Sequence, residues 1–201
     1  MSRGYVLHHR HLRHSDHAAL AEATHNHTEV VPIFVFDPTF YEQDGLACDS
    51  RLRFLHECLR DIPVTLYHGN PVNAVKHLSG EVYTIHTATG RYGVERNEKL
   101  HQEGVNFVQG DGLRRVENTR DGWSDAIQDY LYGEPYTHDS SAITILDSDV
   151  SIEWIEDEYD IEPAKNVSQL VADKQHSNNY MTLPTHLNTG ATCLSRPEST
   201  D

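Results

Sequence analysis

The sequence predicts an α/β fold: an open, doubly wound, five-stranded parallel sheet of Rossmann-like type, with a helical and irregular C-terminal extension. Three observations predict it. Strand and helix signals alternate from Gly4 to residue 110. Residues 29–36 (EVVPIFVF) form a near-continuous run of β-branched and aromatic residues, the pattern of a strand covered on both faces. Leu52, Leu55, Leu59 and Ile62 recur at the spacing of one helix face. Repeated βα units of this size close as parallel strands joined by right-handed crossovers.

The elements follow in order. Gly4–His9 (GYVLHH) is a short apolar first strand. Ser15 or Asp16 reads as the N-cap of a helix through Ala18, Ala19, Leu20 and Glu22. Pro32 lies inside the second strand, so either that strand starts late or that end is not hydrogen-bonded through its nitrogen. A polar loop over 37–49 precedes a helix from Ser50. Strands are expected at 64–67, 81–87 and 105–109, with a short helix opened by Asn70-Pro71 and a longer one over 93–103. Beyond residue 110, Trp123, Ile127, Tyr130 and Leu131 mark a helix with Ser124 as its cap, and Ile152, Ile155 and Tyr159 mark another. The expected organisation is an α/β domain over 1–135, a short acidic helical extension over 136–165, and a polar, unstructured tail over 166–201.

Composition narrows the function classes. The chain has 201 residues, 31 acidic against 16 basic side chains, and a net charge of −15. Lysine occurs only at Lys76, Lys99, Lys165 and Lys174. Such a surface suits very high salt, where self-repulsion is screened, and the alternative is an ordinary acidic cytosolic protein. No Lys/Arg run offers the basic face that phosphate-backbone binding needs, so direct nucleic-acid binding is not expected. Cys48, Cys58 and Cys193 form no CxxC pair and read as reduced thiols, with Cys58 in the core. No apolar stretch approaches the ~20 residues of a membrane helix, and no signal peptide precedes Tyr5; the expectation is a soluble, cytoplasmic protein. Phosphate loops of the GxGxxG or P-loop kind and a GxSxG elbow are absent. His8, His9, His11, His14 and His17 are dense, but alternation along a strand would split them between faces, so no metal site is expected.

Several motifs carry a resemblance. His8-His9-Arg10-His11-Leu12-Arg13, followed by Asp16 and Ala19-Leu20, is similar to the R-R-D-L-R-x-x-D-N-x-A-L opening of the photolyase/cryptochrome family. Arg10, Leu12, Arg13, Asp16, Ala19 and Leu20 match, while His9 and His11 replace an Arg and an Asp. Val31-Pro32-Ile33-Phe34-Val35-Phe36-Asp37-Pro38 resembles that family's V-P-V-F-V-F-D-P. Arg51–Ile62 resembles R-x-R-F-L-x-E-S-L-x-D-L, and Gly69-Asn70-Pro71, Val82-Tyr83, Tyr92-Gly93 and Arg96-Asn97 fall where the family has similar residues. The Asn and acidic residues after the fourth strand are replaced by His86, Thr87 and Ala88. The resemblance covers residues 4–110 well and 111–165 loosely.

The resemblance implies a haloarchaeal-type N-terminal domain that holds an antenna chromophore, a deazaflavin or a folate. In the family a following helical domain holds FAD and repairs thymine dimers by light-driven electron transfer. That domain is expected to be missing here, so the chain would not be catalytic alone and would need a partner supplying FAD. Ligands of open parallel sheets sit beyond the carboxyl ends of the strands, which points to Arg10, Phe36, Asp37 and His86, with Arg51 as a further candidate. Arg10 could pair with an anionic or carbonyl edge, Phe36 could stack, Asp37 could accept hydrogen bonds, and Arg51 could close the far side. Equally, Phe36 could be core, Asp37-Pro38 a strand-ending turn, and both arginines solvated. Other readings are a nucleotide-binding regulatory module of universal-stress-protein type, which should carry a Gly-rich phosphate loop, and an inactive truncated product.

Overall fold

The computed structural model describes residues 3–42, 45–87, 90–110 and 122–162. Five parallel strands, β1 (Arg3–His8), β2 (Glu29–Phe36), β3 (Thr65–His68), β4 (Glu81–Ile85) and β5 (Asn106–Val108), form one sheet in the order β3-β2-β1-β4-β5. The helices are α1 (Ala18–Asn26), α2 (Asp49–Arg60), α3 (Pro71–Lys76), α4 (Gly90–Gln102), α5 (Trp123–Tyr132) and α6 (Ile152–Glu158). The expected five-stranded α/β sheet is therefore present. Element ends differ from the sequence reading by one to three residues. The expected tail over 166–201 lies outside the described residues.

Alternation along the strands divides the core. Tyr5 and Leu7 of β1, with Val31, Ile33 and Val35 of β2, face α3 and α4. Val6, Val30, Tyr83 and Ile85 point the other way, onto Ala19, Leu20 and Ala23 of α1. Phe34 and Phe36 share that second face and pack under α2 and α6, against Leu52, Leu59, Ile152 and Ile155. Each fully buried aliphatic or aromatic side chain stabilises the fold by about 1.5–3 kcal/mol. Since both faces of β2 are covered, its sequence shows no polar alternation.

Pro32 is accommodated by topology. The strand does not start late: β2 runs from Glu29 and pairs with β1 from Glu29 to Phe34. The Val30 carbonyl accepts from Thr144, so Val30 faces away from β1, and Pro32, two residues on, faces the same way. On that side β3 pairs only from Ile33 onward, so the missing N–H falls at the margin of the ladder.

The α1 cap also differs from expectation. His17, not Ser15 or Asp16, is the N-cap, and its Nδ1 accepts from the Leu20 N–H at 3.2 Å. Asp16 adopts a left-handed φ of 46° and instead accepts from the Tyr136 N–H at 2.9 Å, which ties the C-terminal extension to the first loop. Gly122, not Ser124, caps α5. Cys58 is half-buried at the edge of the α2 cluster. Where the chain leaves β3, Gly69 takes a φ of 132° and its N–H bonds to the Phe36 carbonyl, a conformation that only glycine adopts easily. Asn70 then caps α3 through Oδ1. This turn holds Pro71 beside the end of β2, which is where the cavity opens.

Candidate functional site

A cavity of about 460 Å³ lies beyond the carboxyl ends of the central strands. Its residues come from the loop after β1 (His9, Arg10), from the end of β2 (Phe36, Asp37), from the turn that follows (Phe40, Tyr41), from α2 (Arg51) and from α4 (Tyr92, Arg96). Thr87, after β4, also lines it. The walls thus include the segments that leave β1 and β4, adjacent strands whose crossovers run in opposite directions. That is the switch point of an open α/β sheet, where such folds bind ligands.

Local sequence explains each position. Asp37 ends β2 because Pro38 follows it, and its Oδ1 accepts from the Thr39 N–H at 3.0 Å, capping a single 3₁₀ turn. That turn swings Phe40 and Tyr41 over the cavity. Phe36 is fully buried and packs edge-on against Tyr41 and His56. From the opposite side, α4 brings Tyr92, whose hydroxyl donates to Asp37 Oδ2. Phe40 meets the Tyr92 ring edge-on at 4.9 Å.

The electrostatics are one-sided. Among the described residues, Arg10, Arg51, Arg91 and Arg96 line the cavity against one carboxylate, Asp37. Burial pushes the Arg96 and Arg51 guanidiniums below their ordinary value, and Arg10 adds repulsion at Arg96. Arg96 lies over the Tyr92 ring, 5.8 Å from its centroid, and donates to Asn97 Oδ1 at 3.0 Å. Burial, and then the Arg96 charge, hold His9 well below the usual histidine range, so its imidazole is neutral. The buried Nε2 of His9 meets no hydrogen-bond partner among the described residues. A cationic, partly desolvated pocket in a chain of net charge −15 favours an anionic or carbonyl-rich ligand.

Four of the sequence-predicted site residues, Arg10, Phe36, Asp37 and Arg51, come together here. Phe36 and Asp37 serve both readings at once: each is buried in the fold and each lines the cavity. His86 lies apart from the lining, with its ring edge-on to Phe107 and its N–H bonded to the Val108 carbonyl. Sequence reasoning assigned no site role to His9, Tyr41, Tyr92 or Arg96. The Tyr92-Gly93 and Arg96-Asn97 matches held a signal for two of them, since Tyr92 and Arg96 sit one turn apart on α4.

The histidines are arranged differently from the expected alternation. His9 and His11 lie beyond the end of β1, while His8 stacks on His14 and tilts against His17, with centroids 5.8 and 4.7 Å apart. Among the described residues, no group of three His, Cys, Asp or Glu side chains is arranged to hold a metal ion.

An open parallel sheet with an aromatic, arginine-lined cavity at its switch point defines an α/β domain of Rossmann-like type with a candidate ligand site. The DNA photolyase family model matches residues 5–107. The chain belongs to the DNA photolyase family. No curated protein matches its sequence. Among solved structures, it is similar to an archaeal photolyase from Sulfolobus tokodaii, described with two FAD molecules and a novel light-harvesting cofactor, at 17% identity and a TM-score of 0.65. That match covers 80% of this chain and 42% of the other. A bacterial class III photolyase from Agrobacterium tumefaciens is similar at 14% identity and a TM-score of 0.51, over 82% of this chain and 39% of that one. The chain therefore spans about two fifths of the length of these photolyases, and at such identities the likeness is one of fold. Among the described residues, no helix is long and apolar enough to cross a membrane.

Proposed function

We propose that residues 3–110 form the antenna-chromophore-binding domain of a photolyase-related protein, and that the cavity at the switch point takes a planar, anionic or carbonyl-rich chromophore of the deazaflavin, folate or flavin class. The carrying observation is the cavity's lining: aromatic walls from Phe36, Phe40 and Tyr41, arginines at Arg10, Arg51 and Arg96, and the buried Nε2 of His9 with no partner among the described residues. A volume of about 460 Å³ falls in the range of small-molecule and cofactor sites. The archaeal relative described with a light-harvesting cofactor supports the same reading.

The bound chromophore would supply light absorption. The chain's own groups would bind and orient it. Arg10 and Arg96 would hold its anionic or carbonyl edge, His9 Nε2 would complete a hydrogen bond to it, and Phe36 and Phe40 would pack on its apolar rings and exclude water. Asp37 is committed to Thr39 and Tyr92, so it shapes the wall and balances one guanidinium.

Light-dependent DNA repair is the activity that kinship suggests for the whole system. In this proposal it requires FAD and a DNA-contacting surface held outside the described residues, by a partner or a further domain, since this acidic domain offers no Lys/Arg run for the phosphate backbone. The charge surplus fits a protein that works at high salt, in a halophile's cytoplasm. The absorbance spectrum of the purified protein tests the reading. A bound near-ultraviolet or blue chromophore is the expected result. Chromophore-free protein that also gains no thermal stability on addition of flavin, deazaflavin or folate would contradict it.

A further inference from the structure

Behind the aromatic wall of the cavity lies a chain of polar groups that chromophore binding does not use. Tyr41 is among the residues lining the cavity, and its hydroxyl lies 3.1 Å from His56 Nε2. His56 Nδ1 meets Glu156 Oε1 at 3.0 Å, and Arg60 donates to Glu156 Oε2 at 2.7 Å. The carboxylate fixes the tautomer: Nδ1–H donates to Glu156, so Nε2 accepts from the Tyr41 hydroxyl. His56 is fully buried, and Glu156 is 6% exposed. Burying a carboxylate beside a histidine costs free energy, which the hydrogen bonds from His56 and Arg60 offset in part.

The same ring continues outward. The Tyr41 and Tyr159 rings lie 5.0 Å apart, and the Tyr159 hydroxyl lies 2.7 Å from His68 Nε2. His68 in turn packs against Trp154, which is 43% exposed. Two tyrosines in ring contact, each with a histidine nitrogen at its hydroxyl, thus connect the cavity wall to the surface.

We propose that Tyr41, His56 and Glu156 form a proton-coupled one-electron donor to a photo-excited flavin or deazaflavin seated in the cavity, replenished from the surface through Tyr159. The inference rests on the chromophore reading above. In the first step the Tyr41 O–H bond breaks. The electron goes to the excited oxidant, the proton to His56 Nε2, and the imidazolium so formed sits against the Glu156 carboxylate. In the second step an electron passes from Tyr159 to the Tyr41 radical. The proton returns from His56 to the Tyr41 oxygen, and the Tyr159 proton moves to His68 Nε2. The net result is one electron delivered and one neutral radical on half-buried Tyr159, where a thiol or ascorbate in solution restores it.

Charge placement agrees with this sequence. Burial pushes the Tyr41 phenol well above its ordinary value and the His56 imidazole below its own. The resting pair is therefore neutral tyrosine beside neutral histidine, and the phenol gives up its proton only when the electron leaves.

The test attaches the oxidant without relying on the cavity. Cys48 is exposed, one residue from Ala47 of the lining. A thiol-reactive tris(bipyridine)ruthenium label on Cys48, in a Cys58→Ser, Cys193→Ser background, is excited by laser flash with an electron-accepting quencher. A tyrosyl radical, read by its violet absorption band and by paramagnetic resonance, is expected to form more slowly in heavy water. Tyr41→Phe should lose most of the signal. Tyr159→Phe should retain it but slow its removal by ascorbate. A radical unchanged in Tyr41→Phe, or a formation rate equal in light and heavy water, would overturn the relay; the isotope comparison needs no substituted tyrosine and so survives a variant that folds poorly. In a second arm, unlabelled protein is illuminated with added flavin mononucleotide. A tyrosyl radical there supports the relay and the chromophore reading together. Its absence, while the labelled protein still yields the radical, overturns a flavin in the cavity as the oxidant and leaves the Tyr41–His56 couple itself standing.

Discussion

The Tyr92 hydroxyl, on α4, donates to the Oδ2 of Asp37 at the tip of β2, joining two elements 55 residues apart across the cavity. With the Thr39 N–H on Oδ1, it closes the wall that Asp37 begins. The carboxylate is buried and acts as an anchor for the turn that presents Phe40 and Tyr41. Tyr92→Phe should therefore cost about 1 kcal/mol, the net value of one hydrogen bond with some added for the half-satisfied carboxylate. Urea unfolding measures it, and an unchanged midpoint would show that the bond does not hold the wall.

His9 should show opposite effects on stability and binding. Its buried Nε2 has no partner among the described residues, and such a group costs about 1–3 kcal/mol. His9→Phe should raise the melting temperature of the free protein and weaken chromophore binding, because the orphan nitrogen is what the ligand would satisfy. A drop in stability together with unchanged binding would remove His9 from the site.

Acid should destabilise the fold through the histidines of the first loop. Burial is the main cause holding His8 down at about 4 and His17 well below 6.5; neighbouring histidines add to it. Their folded values lie below the unfolded one, so the unfolded chain binds more protons once the pH drops under about 6.5. The stability they contribute is complete above that pH and falls on acidification, until His8 itself titrates near 4. The slope is about 1.4 kcal/mol per pH unit for each histidine that stays neutral. Urea titrations at a series of pH values between neutrality and His8's value give the slope, and a flat profile would mean that these rings are solvated.

Legibility in the sequence follows the physics of each signal. The sheet could be read because β2 is covered on both faces: an apolar run such as 29–36 suits neither a half-exposed strand nor a surface helix. Arg10, Phe36 and Asp37 were legible by the strand-tip rule, and Arg51, on α2, as a group closing the far side. Tyr41 and Glu156 were not, because their roles arise from contacts with His56 at 15 and 100 residues' separation, which no local spacing encodes. The α1 cap was misread because Asp16 is drawn off by Tyr136, 120 residues away, leaving His17 to fill the cap. His86 follows β4 as expected, but its ring turns to Phe107 on β5 rather than into the cavity.

Glu156 should hold the C-terminal extension onto the sheet domain. It links α6 to His56 and Arg60 of α2. Glu156→Ala leaves the buried His56 Nδ1–H without an acceptor, at a cost of about 2 kcal/mol. Hydrogen exchange should rise in α6 first. Exchange that rises equally everywhere would show that α6 is not separately anchored.

Salt should stabilise the protein. With a net charge of −15, the native surface repels itself, and raising ionic strength from about 0.1 M to about 1 M shortens the screening length from roughly 10 to 3 Å. The melting temperature should climb with potassium chloride, and a curve that falls instead would count against a high-salt habitat.

The claim that the switch-point cavity is a site for an anionic or carbonyl-rich chromophore is tested most directly by fluorescence titration of flavin mononucleotide, deazaflavin and folate into the protein and into an Arg10→Gln, Arg51→Gln variant. The account predicts saturable quenching of one of these by the unsubstituted protein, lost or weakened at least about tenfold in the variant, as expected when charge-assisted hydrogen bonds are removed. Equal quenching by both proteins, or none by either, would contradict it.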